Sequence, residues 1–175
     1  MLSVATCLFA SCGGPNLNDV LDSIPGGGDI SNLLPGGGTE TPTKGLSYTP
    51  ITDGYAVSGI GSCEQTEIVI PSTHQGSPVK AINDSAFEGC TKITSIKIPD
   101  SVKTIGSAAF SECTGLTSVT IGNSVKTIDD WAFDGCTNLT VINYRGTKAQ
   151  WKAINKSSVW DSNTGNYTIN YEYMG

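Results

Sequence analysis

The sequence predicts a solenoid of the α/β type, in which short coils stack and each coil adds one strand to a parallel sheet. Two observations support this fold class. A 23-residue pattern occurs three times, over 78–100, 101–123 and 124–146. Eight positions of the pattern are apolar in all three copies, and such self-similarity is typical of repeat architectures. Each copy can bury these residues only against the copies before and after it.

The apolar columns divide each copy into a strand, a crossing segment and a turn. The spacing Leu116-x-x-Val119-x-Ile121 is that of a leucine-rich repeat, and Thr120 alternates outward as a parallel strand requires. We expect residues 107–113 to form a helical or 3₁₀ turn that places Phe110 in the core. In the middle copy the eight columns are Val102, Ile105, Ala109, Phe110, Cys113, Leu116, Val119 and Ile121.

The middle copy, IPDSVKTIGSAAFSECTGLTSVTI, resembles the BspA-like leucine-rich repeat, a 23-residue type of secreted and surface proteins in gut and oral anaerobes. The Ile-Pro-x-Ser-Val hinge, the Ile-Gly turn, the Ala-Phe pair and the cysteine carry the resemblance, which is strong over 78–146. It implies a leucine-rich-repeat solenoid of about three regular coils. It also implies a non-catalytic, adhesin-like module that binds a protein or a glycan.

The segments on either side of the repeats predict atypical end coils. Residues 46–77 resemble an irregular first coil, in which 67–71 align with 95–99 and five extra residues follow at 73–77. Residues 147–175 predict a C-terminal cap. It starts with a helix capping box at Thr147 and Gln150 and ends in the alternating apolar residues of a closing strand, 167–173. Solenoids need such end coils to cover the open core.

The amino terminus predicts an export signal and a tether. Residues 1–11 are apolar and end in small residues, as in a lipoprotein signal peptide, and Cys12 is the predicted lipidated residue. The missing basic residues suggest a truncated signal, and a buried N-terminal strand is the alternative. Residues 12–45 are rich in Gly and Pro and predict a flexible linker. We therefore expect an outer-membrane lipoprotein, on the cell surface or the periplasmic face, whose lipid provides its contact with the membrane.

Charge and residue clusters argue against several functions. The formal net charge is −6, and no basic patch interleaved with aromatic residues occurs, so a nucleic-acid partner is not expected. His74 lies in the 73–77 insertion, where we expect it to be exposed, and the sequence places no nucleophile near it. The Asp129–Asp130 pair predicts an acidic start of a turn. We expect no enzyme activity, no cofactor and no metal.

The three cysteines of the repeat, Cys90, Cys113 and Cys136, leave more than one interpretation open. They occupy an apolar column, which favours buried thiols. Coils about 4.8 Å apart also lie within the Cα range of a disulfide, ~4.4–6.8 Å. A metal site is a third, less favoured interpretation. Cys63 falls outside the column, in the irregular coil.

The outward positions of the predicted sheet form the candidate binding face. This surface is polar, mixed in charge and without an aromatic anchor. It suits a weak protein or glycan ligand supported by avidity. A structural spacer or accessory subunit of an envelope assembly, without its own ligand, is the alternative function. The residues of the candidate binding face are Glu67, Val69, Ser95, Lys97, Ser118, Thr120, Val141, Asn143 and Arg145.

Overall fold

Each coil of the chain contributes strands to two sheets, which lie on different sides of a shared core. The structure, a computed structural model, describes residues 41–61 and 64–174. The predicted signal peptide, Cys12, most of the linker and Cys63 lie outside these residues. The first sheet has five parallel strands, β3 (Glu67–Val69), β6 (Ser95–Ile98), β8 (Ser118–Ile121), β10 (Val141–Tyr144) and β12 (Thr168–Asn170). The predicted parallel solenoid is confirmed.

The second sheet runs along the crossing segments. Its three repeat strands pair in parallel at the same register, Ile82 with Ile105 and Ile105 with Ile128. The Ile side chains of this row point into the core and are fully buried. The strands of this sheet are β1 (Leu46–Ile51), β2 (Gly54–Ile60), β4 (Thr73–His74), β5 (Ser77–Ile82), β7 (Thr104–Ile105), β9 (Thr127–Ile128) and β11 (Asn155–Lys156).

The third side of each coil is a series of turns rather than a helix. Within the second coil, Ala109 donates its backbone N–H to Gly106, whereas Phe110 donates to Ala132 in the next coil at 2.8 Å. Turn bonds of the 3₁₀ type therefore alternate with bonds between coils. Two left-handed residues per coil prevent a continuous helix, since they break its hydrogen-bond pattern. These residues form the columns Ser85, Ala108, Trp131 and Gly89, Glu112, Gly135.

The core is built from the apolar columns, as predicted. Phe87, Phe110 and Phe133 are fully buried and stack with ring centroids 5.2 and 5.0 Å apart. Burial of one such ring contributes about 2–3 kcal/mol, and each ring pair adds about 0.5–1.5 kcal/mol. The coils are thus held at a fixed spacing by their own side chains, which leaves the interior filled.

Threonine hydroxyls add a polar ladder at the entrance of the first sheet. Thr117 donates its side-chain O–H to the carbonyl of Thr94 at 2.9 Å, and Thr140 donates to Thr117 at 3.0 Å. Thr94 makes the same bond to Thr66 of the first coil. Each hydroxyl therefore satisfies a backbone carbonyl of the preceding coil, which fixes the stacking register.

The C-terminal end of the core is covered by aromatic side chains. Helix α1 (Lys148–Ala153) has the predicted capping box, in which the Thr147 side chain accepts from the Gln150 N–H. Trp151 and Trp160 are almost fully buried, and their rings meet edge to face 6.0 Å apart. Trp151 is the buried residue of α1 and faces the core. These rings replace the next coil as a cover for the core.

The N-terminal end departs from the repeat pattern. In the segment expected to form an irregular coil, 46–77, β1 and β2 form an antiparallel hairpin, and β2 continues the second sheet beside β5. Thr52 and Asp53 make its turn, with Asp53 at a φ of 61°, and Gly54 begins β2 with a φ of 154°. A Cβ at Gly54 would lie 2.3 Å from the Pro78 carbonyl oxygen, so only glycine fits there. The 73–77 insertion forms a second hairpin, β4–β5.

Candidate binding face

The candidate binding face is one continuous surface in the structure. The register of the parallel strands places Glu67 beside Ser95, Ser95 beside Ser118 and Ser118 beside Val141. These four residues form one outward row. The second row has the same pairing and contains Val69, Lys97, Thr120 and Asn143. Strand β12 extends the two rows by Thr168 and Asn170.

Polar contacts hold the C-terminal part of this surface in place. The Asn170 amide donates to the side-chain oxygen of Asn143 at 2.9 Å, which continues the row into the last strand. Arg145 lies at the edge and forms an ion pair with Asp100 at 3.2 Å. Because both partners are exposed, this pair contributes ~0–1 kcal/mol. Arg145 is therefore held by a residue two copies of the repeat earlier, without being buried.

A depression of about 410 Å³ lies at the N-terminal end of the face. Residues 41–44 form one wall, and Gln65, Glu67, Val69 and Lys97 form the rest. Thr43 builds the wall because its N–H donates to the Val69 carbonyl at 3.0 Å and its hydroxyl accepts from the Val69 N–H at 2.7 Å. These bonds also cover the edge of β3, which would otherwise be open to another strand.

One polar atom of this depression has no partner in the described part of the chain. The side-chain carbonyl oxygen of Gln65 is buried and accepts no hydrogen bond there. An unsatisfied buried acceptor costs about 1–3 kcal/mol.

His74 is not the exposed loop residue that we expected. It is half-buried in the β4–β5 hairpin, where its ring stacks on Tyr48 at 3.8 Å and meets Tyr55 edge to face at 4.8 Å. The reason is the β1–β2 hairpin, which brings both tyrosines over the insertion. The imidazole thus contributes to packing at the N-terminal end.

The cysteine column contains two kinds of cysteine. Cys113 and Cys136 are buried thiols, and each donates its S–H to a Phe carbonyl of the preceding coil at 3.1 Å. Burial raises the pKa of Cys113 to about 12 and also raises that of Cys136. The favoured interpretation is wrong for Cys90, which is disulfide-bonded to a cysteine outside the described residues. Cys90 heads the column, so no earlier repeat supplies the Phe carbonyl that the other two thiols use.

Two further surface features escaped the sequence reasoning. Trp131 is 51% exposed on the turn side, next to Asp129 and Asp130. Burial, with the neighbouring carboxylates of Asp84 and Asp130, raises the pKa of Asp129. The second feature is a row of three lysines along the second sheet, one in each repeat: Lys80, Lys103 and Lys126. Trp131 could have been found in the sequence because the same position holds Ser85 in the first repeat. The lysines could have been found because all three repeats have Lys at one position.

Neither a metal-binding cluster nor a membrane-spanning helix occurs among the residues that the structure describes. Those residues contain no group of three or more His, Cys, Asp or Glu side chains that could hold a metal ion. No helix among them is long and apolar enough to cross a membrane.

Comparison with known proteins agrees with this geometry. A family model described as the BspA type leucine rich repeat region matches residues 60–172 in six copies. No curated protein matches the chain. A leucine rich repeat protein of T. pallidum is 30% identical, with a TM-score of 0.55, and the match covers 61% of this chain and 53% of that one. This chain thus spans about half the length of the T. pallidum protein.

Two Bacteroides structures have the same fold. A leucine-rich repeat protein from Bacteroides capillosus is 23% identical, with a TM-score of 0.59, and the match covers 74% of this chain and 97% of that one. One from Bacteroides ovatus is 25% identical, with a TM-score of 0.55, and the match covers 75% of this chain and 37% of that one. The family model matches more than half of the chain, and the matched residues include the stacked coils. The chain therefore belongs to the BspA-type leucine-rich-repeat family.

Proposed function

We propose that this protein is a membrane-anchored, non-catalytic interaction module of the bacterial cell envelope that binds a protein or a glycan. The observation that supports it best is the candidate binding face, a continuous polar surface on a solenoid whose interior is filled by its own side chains. A ligand can therefore bind only on the outside. The depression beside Lys97 adds a concave part to the N-terminal end of this face.

The disulfide at Cys90 supports a location outside the cytosol. Disulfides persist in exported proteins and are rare where thiols are kept reduced. This observation agrees with the signal peptide and the lipidated Cys12 that we propose for the amino terminus. The lipid would hold the module at the outer membrane, and the linker of residues 12–45 would separate the repeats from the bilayer.

The face favours weak binding that gains strength from many copies. Five rungs at ~4.8 Å by about five residues at ~3.3 Å give roughly 400 Å², half of the ~800 Å² per partner of a typical stable interface. A membrane-bound array provides the avidity that such an interface needs. The alternative function, a spacer or accessory subunit of an envelope assembly, is consistent with the same small surface.

The first experiment locates the module. Intact cells that express the full-length chain are treated with a proteinase, and residues 46–175 are followed by blotting, with Cys12→Ala as the comparison. Digestion of the wild-type repeats in intact cells is expected for a cell-surface module. Protection until the outer membrane is opened would favour the spacer function in the periplasm. Unchanged membrane attachment of Cys12→Ala would refute the lipid anchor.

A second experiment tests the face itself. Neighbouring outward positions Lys97 and Thr120 are both changed to Glu, and binding to envelope proteins and glycans is compared with that of wild type. Lys148→Glu, an exposed change on α1 away from the face, is the matched control. The proposal expects the face variant alone to lose ligand. Equal binding by all three proteins would show that the face is not the binding site.

A further inference from the structure

The charged side chains of the described chain are separated onto different faces. Residues 41–174 contain ten Lys/Arg and twelve Asp/Glu, which leaves a net charge of −2. The turns 84–89, 107–112, 130–135 and 158–163, here called the turn face, contain no Lys or Arg. They carry six of the twelve carboxylates, namely Asp84, Glu88, Glu112, Asp130, Asp134 and Asp161.

Trp131 stands on the turn face as an aromatic group that the fold does not need. Its side chain is 51% exposed, and the same column holds Ser85 and Ala108 in the other two repeats. Its φ of 55° is a left-handed conformation, which a bulky residue adopts only at a cost. Exposed Trp side chains are typical centres of binding interfaces.

The second sheet carries the complementary charge. Lys80, Lys103 and Lys126, here called the lysine column, occupy the same position in three successive coils. Lys103 donates its backbone N–H to the Lys80 carbonyl at 2.7 Å, and Lys126 donates to Lys103 at 2.8 Å. None of these lysines forms an ion pair with a residue that the structure describes. Like charges placed opposite one another in a sheet repel, so the column favours an anionic neighbour.

We propose that the turn face of one copy of this chain docks on the lysine column of a second copy. Both features repeat with the rise of one coil, about 4.8 Å, because both come from the same repeat. Carboxylates of successive coils therefore match lysines of successive coils when two solenoids lie side by side. In that arrangement the exposed Trp131 ring covers a lysine stem of the neighbour, and its face attracts the ammonium group.

The geometry sets the strength and the form of this association. Three coils at ~4.8 Å and a turn about 15 Å wide give roughly 200 Å² per copy, well below the ~800 Å² of a stable interface. The contact is therefore weak and depends on salt. It joins two different surfaces, so each added copy leaves one turn face and one lysine column free, and association continues beyond the dimer.

The test is sedimentation velocity of the full 175-residue chain over a range of concentrations. At low ionic strength the mean mass is expected to rise steadily with concentration. At ~0.5 M NaCl, where charges are screened beyond about 4 Å, it returns to that of the monomer. Trp131→Ser, which restores the residue of the first repeat, and Lys103→Glu should each weaken association about tenfold. Lys148→Glu makes the same charge change on α1 and serves as the control.

A charge exchange makes the test specific to the two faces. Glu112→Lys alone should weaken association, whereas Glu112→Lys combined with Lys103→Glu should restore it, because the two charges change places. A monomer at every concentration, an equal loss in Lys148→Glu, or no recovery in the double variant would overturn the proposal. A lysine decapeptide that alters the fluorescence of Trp131 in a monomeric protein would also overturn it, in favour of a foreign basic partner. Circular dichroism of each variant checks that the fold is intact.

Discussion

Glu112 occupies a backbone conformation that the neighbouring repeats give to glycine. Its φ is 57°, and the same column contains Gly89 and Gly135, each at 69°. A left-handed conformation costs a residue with a side chain about 1–2 kcal/mol. Glycine adopts it without that cost, but the greater entropy of glycine in the unfolded chain lowers stability by about 0.5–1 kcal/mol. We expect Glu112→Gly to raise the free energy of unfolding by about 1 kcal/mol.

Urea unfolding of the full chain in ~0.5 M NaCl measures this effect with surface charges screened. If the free energy of unfolding falls by about 2 kcal/mol per molar urea, the urea midpoint of unfolding should rise by roughly 0.5 M. Glu112→Gln is the control, because it removes the charge and keeps the backbone strain. The reverse change, Gly135→Ala, should lower stability, since alanine would have to adopt the left-handed φ of 69° that glycine adopts there. A midpoint for Glu112→Gly no higher than that of Glu112→Gln would refute the strain argument.

Two more predictions concern the core. Phe110 stacks between two rings, so Phe110→Ala should lower the free energy of unfolding by about 3–5 kcal/mol. Phe110→Leu fills more of the space and should lower it clearly less. Equal losses for the two variants in urea unfolding would contradict the stacking. Burial raises the pKa of the Cys113 thiol to about 12, so Cys113 and Cys136 should resist iodoacetamide at pH 8 until the protein unfolds. Mass spectrometry of the labelled peptides measures this. Rapid labelling of the native protein would contradict the prediction.

The repeated part of the fold could be predicted because period and alternation act on every copy. One buried row is defined by the same position in three copies, which holds Ile82, Ile105 and Ile128. The period of two in each strand assigns Lys97 and Thr120 to the outer surface. The rows of the candidate binding face follow from the same alternation, and the structure places them side by side. Features that recur in several coils can therefore be predicted from a single sequence.

Features that occur once were harder to predict. Asp53-Gly54 between two alternating segments is a strong hairpin signal, but it was hidden in a segment assigned to an irregular coil. The exposure of His74 was mispredicted because the tyrosines that cover it come from that hairpin. The disulfide at Cys90 was missed because the three cysteines share one position of the repeat and were therefore assigned one role. Such end effects depend on tertiary neighbours that periodicity does not specify.

Asp129 provides a test of the charge crowding on the turn side. Burial is the main reason for its raised pKa, and the carboxylates of Asp84 and Asp130 add to it. A carboxyl with a raised pKa in the folded state destabilises the fold above that pKa, and the penalty disappears as the pH falls below the unfolded value. Asp129→Asn, which introduces the residue of the same column at Asn83, should therefore be more stable than wild type at pH 7. The difference between their urea midpoints should shrink as the pH is lowered towards 3. A constant difference from pH 7 to pH 3 would show that the gain comes from the amide itself and that the carboxylates do not crowd one another.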